Sequence, residues 1–391
     1  MAIEKMSAIE KMSEVTRKSF IVGTASFAAA PLCASDGKPS SLAGLSGDLA
    51  DGKSSVFHLN DRQTVGNLIL QSTRPYSSNL VLSHRLCTLS VFTDIHGCKE
   101  NLKRYVDFSR EYGRYIDDML CLGDMVPSSF ADPMDFWDGI EGTEKILKTI
   151  GNHDTLNSSL SEADWSYHSG KESYVRYFQP HIGSWGVVQP VDAEEKGFCW
   201  YYKDYAEAKV RLIVLDCMFV PKDTGDEQLH WFAQALSDAK EKGLSVVAAK
   251  HFPFEVIQDS ENNTFNSIDL KPYNGGHSMM KFVQEVDAFI SSGGDFICWM
   301  HGDSHYDYQG VIKGHPAQYC IAFENASLNS QWNDSVRIRG SKSQDSFNFV
   351  TFDTNSKLIK IVRVGNNSDR YLRQKNCLCY DYKRKKTITC K

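Results

Sequence analysis

Five of the twelve histidines in this 391-residue chain lie just beyond short apolar runs. His96 follows Leu89–Thr93 within Asp94-Ile95-His96-Gly97, and His153 follows Lys148–Ile150 within Gly151-Asn152-His153-Asp154. His251 comes after Leu244–Ala249, and His301 and His305 come after Phe296–Met300 within His301-Gly302-Asp303-Ser304-His305. One further run, Met119–Leu122, ends in Gly123-Asp124. A single histidine at a strand end is usually a hydrogen-bonded structural residue; five are harder to dismiss. Imidazole and carboxylate together, without thiolate, suit borderline to hard divalent cations such as zinc, manganese or iron. A shared carboxylate bridges two such ions about 3.5–4 Å apart, the spacing used for in-line displacement at phosphorus. The ions lower the pKa of a bound water, and a histidine held by a carboxylate can protonate the leaving alkoxide.

These residues need elements to carry them. Apolar runs alternate with helical patterns from Val56 onward, which predicts an α/β architecture. Lys99–Tyr112 places Leu102, Tyr105, Val106 and Phe108 near helical spacing, and Val210–Leu215 reads as a strand. Asp226–Lys242 carries Leu229, Phe232, Leu236 and Ala239 on one face and stops at Gly243. Met279, Val283, Val286 and Ile290 mark another helix, stopped by Gly293-Gly294. Phe347–Phe352 and Leu358–Val364 flank Thr354-Asn355-Ser356 as a hairpin. Ligands of open α/β sheets bind beyond the carboxyl ends of the strands, so five polar strand ends predict one site on one edge.

The flanking composition narrows the class. A net charge of −6 offers no general attraction to nucleic acid or to anionic membrane. The chain has no G-x-S-x-G, P-loop, G-x-G-x-x-G or H-E-x-x-H. Its eleven cysteines form no CxxC pair, and Cys121, Cys217 and Cys298 read as small core hydrophobes. A disulfide among Cys377, Cys379 and Cys390 stays open. Thr16-Arg17-Lys18 before the apolar run Phe20–Ala34 reads as an export signal over residues 1–34. Residues 35–55, rich in Ser, Gly and Asp, read as a linker. The expectation is a periplasmic or extracellular protein without a transmembrane anchor once the signal is removed; a cytoplasmic one is the alternative. One domain is expected over 56–370, with an aromatic-rich insertion around 160–205 and a C-terminal extension at 371–391. The eleven aromatic residues between Trp165 and Tyr205 either wall the site or pack the insertion's own core.

In order along the chain, D-x-H (Asp94, His96), G-D (Gly123-Asp124), G-N-H-D (151–154), a lone His (His251) and G-x-x-H (302–305) resemble the motifs of the calcineurin-like metallophosphoesterases. The likeness extends to Tyr174–Pro180, Trp200–Tyr205, Arg211–Cys217 and the final hairpin, and is nearest to bacterial and phage-borne members of uncharacterised substrate. It implies a four-layer β-sandwich flanked by helices, α/β or by some schemes α+β, with two divalent metals at one edge. Manganese, iron or zinc are the implied ions, magnesium a further option. By the same resemblance Asp94, His96 and His305 hold the first metal, Asp124 bridges, and Asn152 and His251 hold the second. Asn152 also touches the phosphate, and His153 is the general acid or transition-state stabiliser, oriented by Asp154. Metal-bound hydroxide is the implied nucleophile, and the substrate a small phosphomonoester or phosphodiester.

One position departs from that pattern. Asp303 stands where the family's G-H-x-H motif has a second histidine. Either its carboxylate ligates and biases the site toward manganese or magnesium, or it falls short and the second site is weak. His301 is a further candidate to compensate. The departure leaves a second functional reading, a catalytically weakened member that binds a phosphorylated ligand or partner.

Overall fold

Residues 86–127, 137, 139–154, 170–216, 225–254, 256–257, 266–268, 276–305, 307–328, 337–341, 343–366 and 377–388 are described by the computed structural model. The expected export signal, the linker, residues 56–85 and the part of the insertion that holds Trp165 and Tyr167 lie outside them, as do Cys33, Cys217 and Cys390. Among the described residues, no helix is long and apolar enough to cross a membrane.

The chain first lays down β1 (Cys87–Phe92), β2 (Asp118–Cys121) and β3 (Ile146–Lys148), which pair in parallel. Between β1 and β2 runs helix α1 (Lys99–Glu111), whose Leu102, Tyr105, Val106 and Phe108 are buried as the spacing predicts. A second sheet follows with β4 (Tyr201–Tyr205), β5 (Val210–Val214), β6 (Ser245–Ala249), β7 (Val256–Ile257), β8 (Asn266–Ile268), β9 (Asp295–His301), β10 (Tyr308–Ile312) and β11 (His315–Ala322). Helix α2 (Gly225–Glu241) joins β5 to β6, and α3 (Gly276–Ser291) precedes β9. The chain then returns to the first sheet with β12 (Ser346–Asp353), β13 (Leu358–Gly365), β14 (Cys377–Asp381) and β15 (Lys386–Ile388). Strand order is β15-β14-β13-β12-β1-β2-β3 in one sheet and β4-β5-β6-β9-β11-β10-β8-β7 in the other. Both sheets are mixed, so the fold is α/β.

Strand alternation divides the apolar side chains of the second sheet between two partners. Leu212, Val214, Val247, Ala249, Cys298 and Met300 join a cluster with residues of β1–β3 and β12–β14. Ile213, Val246, Ala248 and Trp299 instead pack with Phe232 and Leu236 of α2 and Val283 and Val286 of α3. The expected hairpin is β12–β13, in antiparallel register from Ser346↔Gly365 to Asp353↔Leu358. The C-terminal segment read as an extension adds β14 and β15 to the same sheet; Leu378, Cys379 and Tyr380 are buried, and Tyr380 stacks on Tyr319 at 3.7 Å.

The aromatic insertion packs inward. Tyr174, Tyr177, Phe178, Trp185, Phe198, Trp200 and Tyr201 are all buried, which favours the core reading over a substrate wall. Their contacts reach β3. Tyr201 Oη donates to Lys148 O and accepts from Lys148 N, and the Lys148 ammonium lies 4.6 Å and 5.4 Å from the ring centroids of Trp137 and Trp185. Burial lowers the pKa of that ammonium to about 8.

Two outcomes follow. A chain ended at residue 370 loses the buried side chains of Leu378, Cys379, Tyr380, Asp381 and Tyr382 and the strand that covers β13. Its denaturant midpoint falls by the equivalent of several kcal/mol, on the order of 1.5–3 kcal/mol for each large side chain. Lys148 holds its proton in the unfolded chain up to its ordinary pKa but releases it near pH 8 when folded. The unfolded state therefore binds the extra proton above pH 8, and stability rises with pH across that interval. Denaturation of Lys148→Met, measured over the same range, should lack that rise.

Candidate metal centre

The carboxyl ends of five strands meet, three from the first sheet (β1, β2, β3) and two from the second (β6, β9). Ladder bonding continues past the strands into the loops. Asp94 N donates to Gly123 O (3.0 Å), His96 N to Asp124 O (3.0 Å), Lys250 N to Met300 O (3.0 Å) and Gly302 N to His251 O (3.0 Å). These loops hold unusual backbone. Asp94, His96, Asp124, Asp303 and His305 all have positive φ, between 45° and 60°, a region that side chains other than glycine seldom visit. Strain of this sort persists where the surroundings over-determine it, and it gathers at functional sites. Two glycines make room for the carboxylates. A Cβ on Gly151 would strike Asp124 Oδ1, and one on Gly302 would strike Thr93 Oγ1 and press on Asp94 Oδ2.

One oxygen of Asp124 faces each of two donor sets. Oδ2 lies 3.8 Å from His96 Nε2, while Oδ1 lies 3.3 Å from His251 Nε2. In the first set His305 Nε2 is 3.2 Å from Asp94 Oδ1 and 3.1 Å from His96 Nε2. Ligand atoms of Asp94, His96, Asp124 and His305 all fall within 4.8 Å of one another. In the second set His251 Nε2 is 3.1 Å from Asn152 Oδ1 and 3.7 Å from Asp303 Oδ1. Bonds of 2.0–2.2 Å meeting at 90–110° put ligand atoms about 2.8–3.6 Å apart, which most of these separations approach.

Lone pairs converge here in a way that protein donors do not satisfy. Asp94 Oδ1 is fully buried and accepts no well-directed hydrogen bond; its partner Oδ2 takes Thr93 Oγ1 and the Asp303 amide. His251 Nδ1 lies 2.6 Å from Leu122 O, a pure acceptor, so Nδ1 carries the proton and Nε2 turns toward three oxygens. A proton on Nε2 would serve one of them. A divalent cation would serve them all, so the donor set fits such ions.

Electrostatics agree. Against the upward push of burial, the imidazoles of His251 and His153 hold the Asp124 carboxyl well below the usual range. Conversely, Asp124 raises His251 and Asp94 raises His305, each against the downward push of burial. Burial lowers His96 to about 4, outweighing Asp124 and Asp94, and leaves its imidazole neutral and ready to ligate.

His153 sits at the rim, with Nε2 3.9 Å from Asp124 Oδ2 and its ring 4.9 Å from that of His96. Its orientation corrects the expectation. Asp154 does not hold the ring: its carboxylate accepts the amides of Met125 (2.7 Å), Val126 (3.2 Å) and Gly151 (2.9 Å). His153 Nδ1 instead faces Pro127 O at 2.9 Å, and its amide donates to Asp124 Oδ1. Asp154 therefore shapes the turn, its carboxylate taken up by three main-chain donors while the imidazole turns to Pro127 O. His301 does not join the donors either. It is buried against Phe254 and Trp299, and neither ring nitrogen is hydrogen-bonded. Strand alternation through Gly302 sends it to the opposite face. The supporting carbonyls of Leu122 and Pro127 left no signal in the sequence, since any residue supplies a carbonyl.

No family model matches this sequence, and no curated protein matches it. Solved structures similar in fold include a dimetal phosphatase from Danio rerio, at 11% identity and a TM-score of 0.45, covering 71% of this chain and 96% of the other. A conserved uncharacterised protein from Streptococcus pneumoniae, described as a predicted phosphoesterase, aligns at 10% identity and 0.31, covering 73% and 93%. TT1561 of Thermus thermophilus aligns at 9% and 0.38, covering 71% and 99%. At such scores these likenesses assign no activity to this chain.

Metal binding here must displace protons from His251 and His305, whose pKa values lie above the ordinary one. Apparent affinity for Zn²⁺ or Mn²⁺ should therefore strengthen as pH rises through neutrality. Calorimetry in two buffers of different ionisation enthalpy should detect the released protons.

Proposed function

We propose that this chain is a metal-dependent phosphoesterase, hydrolysing a phosphomonoester or phosphodiester at a two-metal site. The observation that carries the reading is the Asp124 carboxylate, with one oxygen turned to each donor set. Asp94, His96 and His305 would hold one divalent cation, and Asn152, His251 and Asp303 the other. Two such ions supply an activated water and neutralise phosphate charge. The protein's own part is orientation and proton transfer. Asn152, on the turn braced by Asp154, is sited to meet a phosphate oxygen. His153, its Nδ1 toward Pro127 O, directs Nε2 to the rim, where a protonated ring can pass its proton to the leaving oxygen. The second set is richer in oxygen than the first, which favours manganese or magnesium there and zinc or iron in the first. We further read the layering as the helix–sheet–sheet–helix sandwich of the calcineurin-like enzymes, and the Arg17-Lys18 step with its apolar run as export.

A second reading, a weakened member that binds a phosphorylated ligand, draws on the same Asp303. Its carboxylate lies 3.7 Å from His251 and is about one-third exposed.

Hydrolysis of nitrophenyl phosphate and bis-nitrophenyl phosphate, with each divalent metal supplied in turn, separates the two. The enzyme reading expects turnover with at least one metal. Asp124→Ala should lose both ions and all turnover. His153→Ala should keep its metal and lose about 10²–10⁴ in rate, most for poor leaving groups. No turnover with any metal, and none gained by Asp303→His, leaves the binding reading.

A further inference from the structure

Arg363 lies on β13, two strands away from β1, and plays no part in either donor set. Its side chain is fully buried, and its guanidinium reaches out of its own sheet. Nη2 pairs with Asp307 Oδ1, Nη1 with Glu324 Oε2 (3.3 Å) and Asn366 O (3.0 Å), and Nε with Asn348 Oδ1 (2.8 Å). Asp307 Oδ1 also accepts the Glu324 amide (2.9 Å). Glu324 is gripped further by Asn366 Nδ2 (2.8 Å) and by Arg337 (2.9 Å).

The two carboxylates held in this way stand beside the first donor set. Asp307 comes two residues after His305. Glu324 belongs to the segment Phe323–Ala326, which lies between the roots of both ligand loops. Phe323 N donates to His301 O (3.3 Å) and Ala326 N to Thr93 O (2.9 Å), the residue before Asp94. Arg363, with the equally buried Arg337 beside it, thus fastens the strap between the Asp94 loop and the His305 loop. The second donor set is tied to it through Asp303, which the His305 loop carries. Breaking even a well-made buried ion pair is costly, yet a hydrophobic replacement is often as stable, so stability alone does not account for such an arrangement.

We infer that Arg363 is a positioning residue for the first metal set: through Asp307 and Glu324 it fixes the separation of Asp94 and His305. The inference rests on the two-metal reading above. Partners that orient metal ligands typically contribute about 10–100-fold in affinity. In a His251→Ala background, which isolates the first set, Arg363→Met should weaken Zn²⁺ binding by about that factor in competition with a chromophoric chelator. Arg363→Lys, which keeps the charge without the fork, should recover part of it. In a His305→Ala background, Arg363→Met should weaken Mn²⁺ binding at the second set by less than the first-set factor, because of that set Asp303 alone lies in a strapped loop. A folded Arg363→Met protein whose first-set affinity stays within about threefold of its parent overturns the inference.

Amide exchange in the metal-free full chain gives a readout that needs no metal. Arg363→Met should cost the Asp303 and Ala326 amides about tenfold in protection while β5 and β6 keep theirs. Uniform loss across the sheets would mark Arg363 as merely structural and overturn the inference. Should Arg363→Met not fold, Arg363→Lys and Asp307→Asn are compared by the same exchange, with the same two outcomes. A wild-type chain that binds no metal would defeat the two-metal reading, while the exchange pattern would still decide the role of Arg363.

Discussion

Asp124 is a carboxylate buried among His96, His153 and His251, with an oxygen toward each flank of the site. Burying such a charge is expensive unless positive charge and hydrogen bonds surround it. Much of the architecture answers that requirement. Gly151 clears space for Oδ1, the His153 amide donates to it, and Leu122 O turns His251 so that Nε2 faces inward. The same arrangement that neutralises Asp124 produces two groups of converging lone pairs.

Holding those lone pairs together strains the backbone. Five residues of the two donor sets occupy the left-handed region, and each such residue costs on the order of 1 kcal/mol or more. The cost is borne by main-chain bonds that cross from loop to loop, from Asp94 to Gly123, His96 to Asp124 and Gly302 to His251. Asp154 acts in the same way: three amides converge on its carboxylate, so the Asn152-His153 turn is set by the fold itself. Burial and the nearby Asp124 charge push that carboxyl up to about 7, against the pull of the Gly151 and Met125 amides.

Away from the centre, two buried cations are held by pairing or stacking. Arg211 is fully buried, bonded to Asp204 and Asp238, and lies 3.7 Å over the Tyr202 ring. Lys148 rests against Trp137 and Trp185. The described rings of the aromatic insertion, Tyr201 and Trp185 among them, therefore brace β3, the strand that delivers Gly151–Asp154 to the site.

The ligand types, their place after apolar runs and the helical spacing of α1, α2 and α3 were legible in the sequence, because periodicity and strand-end chemistry are local properties. So were the stops at Gly243 and Gly293, both of which take positive φ. Short strands such as β7, β8 and β15 were not, since pairing partners rather than propensity make them strands. The sequence suggested one site at one edge, and the tertiary fold assembles it from the strand ends of two sheets. That His153 leans on Pro127 O, that His301 turns into the core, and that Arg363 reaches Asp307 are decided by contacts between residues far apart in the chain. Such contacts depend on register, twist and packing of whole strands, and no local pattern of residues encodes them.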